Sequence, residues 1–411
     1  MTLNVSFYLA SRIWSRGQKQ FSGFIIRMAV SATAISVAVM IVAASFMNGF
    51  QEVVQQKMFG FWGHIRIQQS IETNKGLTEE DPFSENDSVI RQIKTIPGIV
   101  SVERYATKSA ILKYKTTIES NLLKGVDRHF DFKRLQPFLK EGRWPSFSDS
   151  AYGREVVISS KNAERLEAKI GDSLLVFFFR EDGSRSARKL KIAGLFKTGI
   201  EEYDKHFTIC DIRLIQRMNN WPANKIGAYE VYIDDPQQMN TLTAEIHQLI
   251  PPLWNAHSIR ETYPSIFDWL LLQDQIKLLL IIILTFIAAV NLITSILILI
   301  LERTVMTGIL KALGAPNFTI QKIFIFHTGL IAATGILIGT ALGLLICWLQ
   351  IHTGFIQLDE DAYFISKAAV RIMPGQIAFI NLITWCVCTA TLLLPSLIIR
   401  KINPTKAIRF K

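Results

Sequence analysis

Four apolar stretches punctuate the chain, one near the N-terminus and three after residue 270, and each is long enough to cross a bilayer. The first runs from Phe24 to Phe46, the second from Leu270 to Leu301, and the third and fourth lie within 318–349 and 376–399. Residues 61–269, between the first two, are mixed polar and apolar, as expected of a folded, water-facing domain. The pattern predicts a membrane α-helical protein: four transmembrane helices with an α+β domain inserted between helices 1 and 2. Beyond Phe46, Phe50, Val53, Val54, Met58 and Phe61 keep helical spacing, so the first helix is expected to continue as a stalk to about residue 60. The second stretch, about 32 residues or roughly 48 Å of helix, also exceeds a hydrocarbon core of roughly 30 Å.

Inside the domain, His64–Ser70 and Ile99–Ala106 read as strands flanking a helical SVIRQIKTI that stops at Pro97 and Gly98, a βαβ-like unit. A second half returns at Tyr229–Asp234 with a helix through PQQMNTLTAEIHQLI. Between them, at about 150–225, lies a strand-rich insertion. It holds REVVISS, a helical KNAERLEA and a hairpin LLVFFFREDGSRSARKLKIAGLF turning at Asp182-Gly183.

Composition agrees with this division: 49% of the 411 residues are hydrophobic and 19% are charged, so spans and a wet domain must coexist. The net charge of +11 does not point to nucleic acid, because Arg12, Arg16 and Lys19 precede the first span and Arg400, Lys401, Lys406, Arg409 and Lys411 follow the last. Such flanking charge marks the cytoplasmic side. The 350–375 loop sets Asp359, Glu360 and Asp361 against Lys367 and Arg371 and lacks that bias. Both termini, 1–23 and 400–411, are therefore expected in the cytoplasm, and the 61–269 domain and the 350–375 loop outside it. The Phe24–Phe46 run exceeds a signal-peptide core and reads as an uncleaved anchor. Cys210 has no partner within the domain, while Cys347, Cys386 and Cys388 fall in spans, so the domain relies on its own core. Arg27 and Lys277, at span ends, are expected to snorkel or pair.

The segment 302–317, ERTVMTGILKALGAPN, predicts a short cytoplasmic helix with Val305, Ile309 and Leu313 as an apolar stripe and Gly314 and Pro316 as its stop. In the third span Gly335, Gly339 and Gly343 recur every four residues, a ladder for close helix packing in lipid. Pro395 is expected to kink the fourth. Glu201, Glu202, Asp204 and His206 cluster but read as a solvated turn, without the G-x-S-x-G or H-E-x-x-H patterns of common hydrolases. No G-x-x-x-x-G-K-[ST] phosphate loop is present, so the chain is not expected to hydrolyse ATP itself.

ERTVMTGILKALGAP resembles the cytoplasmic loop of FtsX-like ABC permeases, with Gly308 at a position often apolar there. LLLPSLIIRKINPTKAIRF resembles their closing segment through Pro395, Pro404, Ala407, Ile408 and Arg409, with Ile399 where Ala is usual. SGFIIRMAVSATAISVAVMIVAASFMNGFQ is similar to the first span of lipoprotein-releasing permeases, down to Met47-Asn48-Gly49-Phe50. EGRWP, REVVISSKNAERLEAKIGDSLLV and GIEEYD resemble that subfamily too.

This resemblance implies four transmembrane helices and a MacB-like periplasmic domain in a cell inner membrane protein. It implies a non-catalytic permease subunit of an ATP-driven complex that extracts lipoproteins and passes ATPase motion to the periplasmic domain. The implied partners are a cytoplasmic ABC ATPase, which uses the ATP and Mg, a second permease subunit (itself or a paralogue), the lipoprotein substrate and a periplasmic carrier. No cofactor is expected on this chain.

By the same resemblance Glu302, Arg303, Thr304, Val305, Met306, Ile309, Leu310, Lys311, Leu313 and Gly314 would couple to the ATPase. Val37, Met40, Ile41, Ala44, Met47, Phe267, Leu271 and Leu278 are candidates for an acyl-chain cavity. The carrier-binding hook of the family corresponds to the hairpin tip Arg180–Lys189, which is shorter here and lacks its prolines. Two alternatives share the layout: an FtsX-like mechanotransmitter regulating cell-wall hydrolases, whose external domain is much smaller than 61–269, and a MacB-like exporter of amphiphilic compounds or peptides.

Overall fold

The computed structural model describes residues 21–69, 79–147, 152–179, 183–359, 363 and 365–391. It forms two compact units, residues 53–268 with 358–366, and the remainder. Helix α1 (Phe21–Trp62) is continuous over 42 residues, roughly 63 Å at 1.5 Å per residue, so the expected stalk is helical throughout. Gly63, at φ +70°, ends it with a turn that favours glycine.

The unit that follows contains, in order, β1 (Ile65–Gln69), β2 (Phe83–Ser84), α2 (Asp87–Lys94), β3 (Ile99–Tyr114), β4 (Thr117–Val126) and β5 (Leu139–Gly142). Next come β6 (Glu155–Ser159), α3 (Ser160–Leu166), β7 (Ser173–Phe179), β8 (Arg185–Phe196), α4 (Glu201–His206), β9 (Phe207–Asp211) and α5 (Ile212–Met218). The unit closes with β10 (Lys225–Ile226), β11 (Ala228–Ile233), α6 (Met239–Leu249), β12 (Trp254–Ser258) and α7 (Ile259–Thr262).

One sheet runs β12-β1-β11-β3-β4-β9-β6-β8-β5, and β7 pairs with both β3 and β8. The pairings β3-β4-β9-β6-β8-β7 thus return to β3 and close a six-stranded ring, which removes edges that would otherwise invite association. The expected βαβ unit is a split one: β1 and β3 both pair antiparallel to β11, which inserts between them. The 150–225 segment is not a separate lobe, because β6 and β9 join the same sheet as β4. Of the expected tip Arg180–Lys189, residues 185–189 are strand, paired from Phe179↔Arg185 to Leu175↔Lys189, while 180–182 lie outside the described residues.

The last turn of α1 sits in the core of this unit. Phe61 stacks on Tyr203 at 4.9 Å between ring centroids, and Trp62 meets Phe207 edge-on at 5.0 Å. Beneath them Lys124 on β4 and Glu230 on β11 form an ion pair at 2.6 Å with both side chains buried. The Lys124 ammonium also donates to the Phe61 carbonyl and lies 4.5 Å from the Trp62 ring centre. Burial lowers the Lys124 pKa and raises that of Glu230, so each depends on the other to stay ionised.

In the other unit, α8 (Pro264–Glu302), which starts within the first unit, α9 (Thr304–Ala312), α10 (Asn317–Thr353) and α11 (Pro374–Thr391) follow. Among the described residues α1, α8 and α10 are long and apolar enough to cross a membrane. α11 packs with them as far as it is described; the rest of the expected fourth span, with Pro395, lies outside the described residues, as do both charged termini. Among the described residues three apolar layers bind these helices. Ile281, Leu284, Met40, Ile41, Ile336 and Ile380 contribute to one, Ala29, Leu292, Ile331 and Cys388 to the next, and Ile296, Leu299, Ile320 and Phe324 to the third.

Candidate functional site

Two backbone features set α9 apart. Arg303, at φ −98° and ψ 20°, separates it from α8, so the helix covers Thr304–Ala312 rather than all of 302–317. Gly314, at φ +85°, turns the chain after Leu313 where a Cβ would be strained. Thr304 Oγ1 donates to Leu301 O at 2.6 Å, satisfying one of the carbonyls left open at the end of α8.

The two sides of α9 differ in kind. Met306 and Leu310 turn inward, with Ala315, onto Ile296, Leu299, Ile300, Ile320 and Phe324, and Thr307 and Gly308 are buried. Val305, Ile309 and Leu313 point away, 48%, 47% and 79% exposed. Spacing of four places these three on one stripe, and an exposed aliphatic stripe on a helix anchored by its other side is the physical signature of a contact surface. Glu302 is exposed at the end of α8, and Lys311 and Gly314 lie at the far end of α9. The ten residues expected here are adjacent, but Met306 and Leu310 belong to the inward side.

The glycine ladder lies against α1. A Cβ built on Gly339 would sit 2.5 Å from Ala34 O and 2.8 Å from Val37 Cβ, one on Gly335 2.8 Å from Thr33 Cβ, and one on Gly343 3.1 Å from Ile41 Cβ. Small residues here let the two backbones approach, which in lipid supplies the packing that a hydrophobic effect cannot.

The eight acyl-chain candidates do not share one environment. Val37, Met40, Ile41 and Ala44 are buried in the layer with Ile336 and Ile380, whereas Leu271 and Leu278 on α8 are 61% and 57% exposed. Met47 is half-buried, and Phe267 stacks on Phe59 at 6.1 Å.

The acidic cluster in the domain is helical rather than a turn; Glu201, Glu202 and His206 are exposed as expected, and Asp204 is not. Asp204 is buried and accepts from Thr198 N and Oγ1, both at 2.8 Å, and from Gly199 N at 2.9 Å. Glu201 pairs with Lys161 at 3.0 Å and Lys205 at 2.6 Å. These carboxylates hold the Thr198–Gly199 turn and tie α4 to α3, which leaves them committed to structure.

The sequence from residue 28 to 249 matches the family model described as MacB-like periplasmic core domain, more than half of the chain. The chain belongs to the MacB-like periplasmic core domain family. A second family model, FtsX-like permease C-terminal, matches residues 278–404 of this MacB-like chain, a range that takes in α9 and the glycine ladder. The chain is 23% identical to the lipoprotein-releasing system transmembrane protein LolC of Neisseria meningitidis serogroup B, over 95% of each chain. It is 20% identical to the corresponding LolE of Haemophilus influenzae, over 92% of this chain and 89% of that one. Among solved structures, the extracellular domain of the noncanonic ABC-type transporter YknZ from Gram-positive bacteria superposes with a TM-score of 0.33. That likeness is at 17% identity and covers 47% of this chain and 98% of that one.

Within the Met47-Asn48-Gly49-Phe50 segment the structure adds what sequence reasoning missed. The Asn48 amide donates to Gln376 Oε1 and accepts from Lys277 Nζ at 2.9 Å, and Gly49 lets the backbone at Ala369 come so close that a Cβ would lie 2.5 Å from its carbonyl. A polar residue beside a glycine at the end of an apolar run was the available signal.

Proposed function

We propose that this chain is the permease subunit of an ATP-driven complex that extracts lipoproteins from the cell inner membrane. Four transmembrane helices, the fourth over 376–399, place both termini and α9 in the cytoplasm and the MacB-like domain in the periplasm. A separate ABC ATPase, which binds and uses ATP and Mg, docks on α9. A second permease subunit, a copy or a paralogue, completes the complex. Nucleotide-driven movement of α9 passes into α8, a single helix of 39 residues from Pro264 to Glu302, and so toward the domain. Acyl chains are held against apolar surfaces of α1 and α8, among which Leu271 and Leu278 are exposed on this subunit. The names of the similar LolC and LolE proteins support the lipoprotein substrate.

The observation that carries the reading is the exposed stripe Val305, Ile309 and Leu313 on a helix whose opposite side is already packed. Ile309→Glu with Leu313→Glu is expected to leave the protein inserted and folded while the ATPase no longer co-purifies. Leu310→Glu is expected instead to destabilise the bundle, because Leu310 faces inward. Undiminished co-purification with the Ile309/Leu313 double variant would overturn the assignment of α9.

A further inference from the structure

The stretch of α1 around Asn48 is tied to α8 and to the start of α11 by polar side chains at one level. Lys277 Nζ donates to Asn48 Oδ1 at 2.9 Å and to Asp274 Oδ1 at 2.7 Å. Gln51 Nε2 donates to the same Asp274 oxygen at 3.1 Å and to Leu270 O at 3.0 Å. Asn48 reaches Gln376 on the other side, Glu52 pairs with Arg371 at 2.8 Å, and the Arg371 N–H donates to Ser45 O at 2.9 Å.

On the permease reading this girdle falls at an edge of the hydrocarbon. Asn48 follows Arg27 by 21 residues of unbroken helix, roughly 31 Å, which is about the thickness of a bilayer core. At such a boundary each group that lost its partner would face lipid or compete for interfacial water. Deeper in the membrane α1 is already held, on its α10 side, by the close approach at Gly339.

We infer that the girdle fastens α1 and α8 of one subunit into a single rigid pair that stays closed through the transport cycle. Any passage for a lipid-like substrate then opens between subunits, never between these two helices. The inference rests on the permease reading for the existence of that cycle.

Phe50 and Trp269, whose rings meet edge-on at 5.4 Å, offer a probe beside the girdle but outside its polar bonds. In the complete complex, with native cysteines replaced, Phe50→Cys and Trp269→Cys joined by a short, cleavable bifunctional thiol reagent are expected to release lipoprotein as fast as before joining. Release that falls with cross-linking yield and returns on cleavage would overturn the inference. A complex that releases no lipoprotein before joining counts against the permease reading alone, and spin labels then decide the matter. Val39→Cys and Ile276→Cys are both exposed at 43% and lie on the two helices. Their distance distribution is expected to be the same without nucleotide and with ATP and vanadate, and to broaden when Asn48→Ala loosens the girdle. A nucleotide-dependent shift in the protein without that change, or no broadening with it, would refute the rigid pair.

Discussion

Replacing Lys124 by Met tests whether the core of the MacB-like domain depends on its buried charges. The ammonium is enclosed by Phe61, Trp62 and Tyr105, with ring centres 4.8, 4.5 and 5.3 Å away, and faces Glu230 at 2.6 Å. Its removal takes the direct ion-pair partner from the Glu230 carboxylate, which keeps the Tyr232 hydroxyl at 3.1 Å and the more distant charge of Arg66, and takes a donor from the Phe61 carbonyl at the end of α1. Breaking one side of a buried pair costs about 3–5 kcal/mol. In a domain of this size that corresponds to a fall in melting temperature of roughly 6–20 °C. Lys124→Met with Glu230→Leu removes both charges, and because desolvation opposes each of them, the double variant is expected near the stability of the unaltered protein. Thermal unfolding of the full chain in detergent, followed through tryptophan fluorescence, measures all four corners of this cycle. A single variant that melts within a degree or two of the parent, or a double variant as unstable as the sum of the singles, would refute the reasoning.

Two further outcomes are expected. Gly339→Leu should separate α10 from α1, since even a Cβ meets Ala34 O at 2.5 Å; overpacking of this kind costs about 1–3 kcal/mol, read as lowered resistance to detergent or heat, whereas Leu337→Ala, on an exposed side of α10, should change little. His64 is held neutral, its pKa lowered to about 4 by burial and then by Arg134, while Nδ1 accepts from Ile233 N–H at 3.3 Å. The unfolded chain therefore binds the extra proton first: the contribution of this group is whole above pH 6.5 and is lost as pH falls toward 4, by about 3 kcal/mol in all. Unfolding midpoints measured across that window should show this loss, and His64→Gln should flatten it.

Several features could be read directly from the residues. The three long helices α1, α8 and α10 follow from long, mostly apolar runs, and the outward stripe of α9 from the spacing of Val305, Ile309 and Leu313, because both are local patterns. The resemblance includes Met306 and Leu310 among the residues that would meet the ATPase, yet both pack inward, because motif matching does not tell a helix which side meets its own bundle; that is decided by Ile320 and Phe324 on α10. The ring closure by β7 was not legible, since Ala110↔Phe178 is a pairing between residues far apart in the chain. Lys124 looks like an ordinary strand charge until Glu230 is brought beside it, and Asp204 like a surface acid until the Thr198–Gly199 turn folds over it. For β7 and Lys124 the deciding partner is remote in sequence, and for Asp204 it is a turn five to six residues upstream; hydrophobic period carries no information about either.

On the proposed reading α9 and the MacB-like domain face opposite sides of one membrane, the ATPase docking on the first. Single cysteines at Leu313 and at Leu253, both well exposed at 79% and 69%, can be placed in a chain otherwise free of cysteine. Treatment of spheroplasts with a membrane-impermeant maleimide should label the Leu253 position at once and the Leu313 position only after the membrane is broken. Labelling of both positions from the same side would contradict this topology.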